Sequence, residues 1–204
     1  MDKASWSRET KKIFNGILLF SLAWIVYGIL SPIESLFSGI GTLASFSDTP
    51  DPMGGAGTTL SIIVYLLLAG IGVGYILTIV GLGKFRTILE AADGKAIGSV
   101  RTAFILALVA VVLDYLPFIP GIIGGIVYLI AVILLLVGYG KLKDSSTFPG
   151  SKGATVLFIA MILIIVGWVL DFIPLVGDWL DAVLTIIAYI MTLSGWNKIK
   201  NAAV

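Results

Sequence analysis

Residues 102–143 read TAFILALVAVVLDYLPFIPGIIGGIVYLIAVILLLVGYGKLK. Two apolar runs, Thr102–Leu116 and Ile122–Tyr139, flank a turn that carries one acid, Asp114, and two prolines, Pro117 and Pro120. Proline has no N–H to donate and its ring crowds the preceding turn, so a helix stops there. The second run ends on Lys141 and Lys143. The stretch is therefore an apolar helical hairpin with an acid at its tip and bases at its foot. A bilayer core of ~30 Å takes about 20 apolar residues per helix, so each arm is near the length needed to cross.

The rest of the chain follows the same plan. Of 204 residues, 58% are hydrophobic and 12% charged, and the mean hydropathy is +1.08. Soluble domains carry about 25% charged residues, so polar surface is too scarce here for a soluble globule. That excludes a soluble enzyme, a nucleic-acid-binding module and a disordered linker. Six apolar segments are legible: Ile13–Leu30, Leu60–Leu82, the two above, Ala154–Ile173 and Trp179–Gly195. There is no Cys and no His, which removes the usual ligands of zinc, haem and iron–sulfur centres and any Ser–His or Cys–His nucleophile. The expectation is an integral protein of the plasma (inner) membrane, with no enzymatic activity and no cofactor.

The charges sort by end. Lys3, Arg8, Lys11 and Lys12 precede the first segment. Lys84, Arg86, Lys95 and Arg101 lie between the second and third. Lys141, Lys143 and Lys152 lie between the fourth and fifth, and Lys198 and Lys200 follow the sixth; these are all 13 bases. The opposite side holds seven acids and no base: Glu34, Asp48, Asp51, Asp114, Asp171, Asp178 and Asp181. By the positive-inside rule, both termini are cytoplasmic.

A period of 57 residues organises the chain. Gly81, Gly138 and Gly195 are one period apart, as are Lys84, Lys141 and Lys198. Leu113-Asp114-Tyr115-Leu116-Pro117 matches Leu170-Asp171-Phe172-Ile173-Pro174 at the same offset. The expected fold is an all-α polytopic membrane protein. It forms a single transmembrane domain over 1–204, with six transmembrane helices arranged as three tandem helical hairpins. The repeats cover about 8–92, 93–149 and 150–204, and the first carries an outer loop insertion at 33–58, rich in Gly, Ser and Pro.

Two sets of residues are candidates for function. Gly70, Gly74, Thr78 and Gly81 share one helix face, and the equivalents are Ala131, Leu135, Gly138 and Ala188, Thr192, Gly195. Small residues let membrane helices approach closely, so this is a helix-packing or oligomer seam. Asp114, Asp171, Asp178 and Asp181 form a possible outer-face cation site. The more ordinary expectation is that Asp114 and Asp171 tie the Asp-x-x-Pro turns and that Asp178 and Asp181 cap the sixth helix. Trp6, Trp179 and Trp196 read as interface anchors, and Trp24 and Trp168 as packing residues.

The three-hairpin plan and the run Gly28-Ile29-Leu30-Ser31-Pro32 resemble the small acid-resistance membrane proteins of the HdeD type. The Asp-x-x-Pro turns depart from that pattern, and no function or residue is carried over. The sequence favours a self-associating scaffold or subunit of a membrane assembly, with the lipid bilayer and a homo-oligomer or membrane-protein partner as its contacts and no nucleic acid. The alternative is a passive cation-preferring channel or pore formed by an oligomer with an acidic outer mouth.

Overall fold

The computed structural model describes residues 2–46, 54–114, 116, 118, 120–171, 173 and 177–202; side chains at 31, 32, 35, 38–46, 54–56, 114, 171 and 177–179 are outside that description. The described residues are all-helical: α1 (Lys3–Phe46), α2 (Gly54–Phe85), α3 (Ala91–Asp114), α4 (Gly121–Lys143), α5 (Ser151–Asp171) and α6 (Gly177–Lys200), with a single 3₁₀ turn at Arg86–Ile88. Six helices are long and apolar enough to span a membrane. Asp2 starts α1, its carboxylate accepting from the backbone N–H groups of Ala4 and Ser5 and from the Ser5 hydroxyl. Those hydrogen bonds, led by the Ser5 hydroxyl, hold its carboxyl below the usual range.

Each helix packs antiparallel along its neighbour in chain order, and α6 returns against α1, so the six close into a ring. The pairs α1–α2, α3–α4 and α5–α6 pack most extensively. All the Lys and Arg residues lie at the end of this ring where α1, α3 and α5 begin and α2, α4 and α6 end.

Two expectations on helix length are corrected. Within the expected loop 33–58, residues 33–46 and 54–58 are helical: α1 continues through Pro32 to Phe46, and α2 is already helical at Gly54, while 47–53 lie outside the described residues. The apolar positions Ile33, Leu36, Phe37, Ile40 and Leu43 keep helical spacing, which favours continuation. The Ser61 hydroxyl donates to Glu34 Oε1 at 2.7 Å, tying the two extensions together. Asp48 and Asp51 lie outside the described residues. The third helix is also longer than its apolar run. It begins at Ala91 because Ala96, Ile97 and Val100 are buried on one face despite the charges of Asp93, Lys95 and Arg101 around them.

Aromatic side chains fill the ring. Phe20 of α1 stacks on Tyr75 of α2 at 4.8 Å, and both meet Phe104 of α3 edge-on at 5.8 and 5.9 Å. Tyr189 of α6 approaches Phe20 at 6.5 Å. Nearer the basic end, Trp6 packs between Phe85 and Phe148, and its Nε1 donates to the Ile199 carbonyl at 3.1 Å. Trp196 Nε1 donates to the Tyr139 hydroxyl at 3.4 Å. Trp6 and Trp196 are thus core residues, not interface anchors, because the end of α6 and the connection from α4 to α5 fold over them. Trp179 has no described side chain.

Candidate functional site

The small-residue seam lies between helices of this chain. A Cβ added at Gly74 would lie 2.7–2.8 Å from the Phe20 nitrogen and the Gly16 carbonyl, so α1 and α2 cross here at backbone distance. Gly81 faces Ile13, Gly138 faces Val100 and Ala96, and Gly195 faces Leu157 and Gly153. Gly70 sits opposite Ala23. Ala131 and Ala188 are fully buried. Thr78 and Thr192 are buried too, and each returns its hydroxyl to the carbonyl four residues earlier, Gly74 and Ala188, at 2.8 Å. This back-bonding satisfies a hydroxyl that would otherwise be stranded among apolar groups.

The four aspartates share the opposite end from the bases. Asp114 and Asp171 are the last residues of α3 and α5, and Asp178 is the second residue of α6. The structure describes the side chain of Asp181 alone. Asp181 does not sit at the helix start: it is four residues past Gly177, about 6 Å along the axis. Its carboxylate lies against Gly167 of α5, where a Cβ would collide with Oδ1, and accepts a long 3.5 Å hydrogen bond from Thr185. The glycine at 167 makes room for the acid.

Asp181 opens onto a cavity of about 520 Å³. Trp24, Ile25, Gly28 and Ile29 of α1 line it on one side and Asp181, Ala182, Thr185, Ile186 and Tyr189 of α6 on the other. Its back wall is Ala110 and Val111 of α3, Tyr128 of α4, and Ile164 and Trp168 of α5. Tyr128 and Trp168 contact each other with ring centroids 5.2 Å apart. From Asp181 to Tyr189 the cavity follows α6 for about 12 Å. Beyond Tyr189 the Phe20–Tyr75–Phe104 cluster narrows the centre of the ring to a void of about 40 Å³.

The mouth follows from exposure. Gly28 and Ile29 on α1 and Ala182 and Ile186 on α6 are exposed, whereas Trp24, Thr185 and Tyr189, which turn inward from the same helices, are half-buried. Helices α1 and α6 are clasped at the basic end, through Trp6 on Ile199 and the Lys200 ammonium over the Phe14 ring at 4.3 Å. They part above Phe20 and Tyr189. The cavity is a wedge between the first and last helices that opens toward the acidic end.

The sequence named Asp181 but not its surroundings. The signal was available: Asp181, Thr185 and Tyr189 are spaced by four, so they share one helix face. Comparison with protein-family models, with curated proteins and with solved structures finds no match to this chain.

Proposed function

We propose that this protein is a non-enzymatic, self-associating scaffold or subunit of a membrane assembly. In this reading it is built from three tandem hairpins with both termini cytoplasmic. The membrane is the plasma (inner) membrane, and no cofactor is required.

The observation that carries the reading is the overhang of the first hairpin. Phe104 is level with Tyr75, so α3 ends near the level of Tyr65 and Leu30. Helix α1 then continues from Leu30 to Phe46, ~24 Å at ~1.5 Å per residue. That overhang presents apolar side chains: Leu36 is 69% exposed and Ile33 is exposed as well. Leu22, Ile29 and Leu36 recur every seven residues on α1 and are all exposed, the spacing of a helix–helix seam. Apolar surface that projects past the end of α3 is stabilised by contact with a second protein surface, and a second copy supplies a matching stripe.

Native mass in mild detergent tests this reading. The expected result is an oligomer that the double substitution Ile29→Ser with Leu36→Ser, which breaks the stripe, converts to monomer. A monomeric native protein defeats it. Topology is read by thiol labelling without background, since the chain has no Cys. Phe118→Cys, at a turn residue 93% exposed, should react with an impermeant reagent from outside, and Ser146→Cys should not.

The alternative, a cation-preferring pore, is favoured by one observation, the carboxylate of Asp181 in an open cavity. Its path would run between subunits, because the aromatic cluster blocks the ring of a single chain.

A further inference from the structure

We propose that the wedge between α1 and α6 is a binding site for a lipophilic organic ammonium ion, a monocation carrying an apolar tail. It would engage the Asp181 carboxylate and the aromatic walls.

The cavity has the size of a small-molecule site, since such sites occupy about 300–1,000 Å³ and this one about 520 Å³. Its described lining combines the Asp181 carboxylate with the rings of Trp24, Tyr128, Trp168 and Tyr189. Aromatic faces attract ammonium groups through the ring quadrupole, and the attraction grows where water is excluded. A carboxylate beside such rings selects a positive charge over a neutral isostere. The remaining lining, Ile25, Ile29, Val111, Ile164 and Ile186, is aliphatic and suits a tail.

The structure around Asp181 is built for an acid. Gly167 leaves the space that the carboxylate occupies at the α5–α6 contact. Seating a carboxylate in the outer part of an apolar bundle carries a desolvation cost. A cation bound in the cavity adds direct charge pairing to the contacts the carboxylate already makes, whereas a neutral ligand of the same shape does not.

The mouth and the charge map narrow the ligand class. Gly28, Ala182 and Ile186 flank an opening on the side of the bundle, so an amphiphile can enter from the surrounding apolar phase. Phospholipids with ammonium headgroups carry a phosphate beside the cation. Every Lys and Arg of the chain lies at the opposite end, so the site offers no base for a phosphate. A single positive charge on a tail fits, and a zwitterion does not.

The open space at Gly28 gives a clean test. A Cβ added there meets no atom within 4 Å, so Gly28→Leu fills the cavity without disturbing the helix contacts. The probe is dodecyltrimethylammonium, titrated into the protein in maltoside micelles. Binding is followed through the fluorescence of the tryptophans, two of which, Trp24 and Trp168, line the cavity. The expected result is saturable binding that weakens at least tenfold in Asp181→Asn and in Gly28→Leu. Gly72→Leu, which also meets open space but on α2 away from the cavity, leaves it unchanged. Dodecanol should bind more weakly than the ammonium and equally to native protein and Asp181→Asn. Equal binding of alcohol and ammonium, or native affinity in Asp181→Asn, overturns the proposal. If Asp181→Asn does not fold, Gly28→Leu decides alone, and native affinity there overturns it. Competition by diheptanoyl phosphatidylcholine at the probe's own affinity would also overturn it, by assigning the site to a zwitterionic lipid.

Discussion

The basic and acidic halves of the bundle carry the same kinds of aromatic side chain and pack them in opposite ways. Toward the basic end, Trp6, Phe85, Phe148, Leu142, Trp196 and Ile199 are all at most 2% exposed, and tryptophan N–H groups donate across helices. Toward the acidic end, tryptophans and tyrosines of similar size stand around empty volume. Aromatic content does not separate the halves; clasping does. Where α6 closes on α1 the rings interlock, and where the two helices part the rings become walls.

The sharpest way to break this comparison is to remove a ring from each half. Trp6→Ala should cost about 3–5 kcal/mol, the usual range for a buried large aromatic. Trp6→Phe, which keeps a ring and loses the bond to the Ile199 carbonyl, should cost about 1 kcal/mol. Unfolding in mixed micelles of sodium dodecyl sulfate and maltoside measures both. Trp168→Ala should cost less than Trp6→Ala by at least ~1 kcal/mol, because its neighbourhood is already open and can relax. Equal losses would mean the cavity wall is as tightly used as the core.

The next effect sharpens the boundary between the halves. Gly74→Leu strikes backbone at the α1–α2 crossing and should destabilise by about 1–3 kcal/mol or more, whereas Gly72→Leu should change little. Thermal melts of the purified protein compare the two. The smallest effect belongs to the hollow half. Gly28→Leu should stay within about 0.5 kcal/mol of native stability, as a substitution without new contacts does.

Much of this architecture was legible in the sequence. Six apolar runs, the distribution of bases and the helix ends at Asp114 and Asp171 follow from hydropathy and proline chemistry, which are local. What failed locally was helix length. Charges at Asp93, Lys95 and Arg101 and the proline at 32 argued for loops, but burial of Ala96, Ile97 and Val100, and the apolar spacing after Leu30, won. The site was half legible. Asp181, Thr185 and Tyr189 share a face by spacing alone, yet nothing in a linear chain tells that α1 would supply the facing wall. Reading Trp6 and Trp196 as interface anchors erred for the same reason: their cover comes from elements distant in sequence, 193 residues away for Trp6.

That clasp of Trp6 on Ile199 also sets an order in time. A chain emerging from the ribosome can form the α1–α2 pair early, and the α3–α4 pair after it, because those partners are adjacent. Helix α1 must then wait, one flank unpaired, until α6 has been synthesised. During that interval the indole of Trp6 has no Ile199 carbonyl to donate to, and the aromatic walls face lipid. A chain interrupted before α6 would keep that flank open permanently, giving membrane quality control a feature by which to tell unfinished molecules from complete ones.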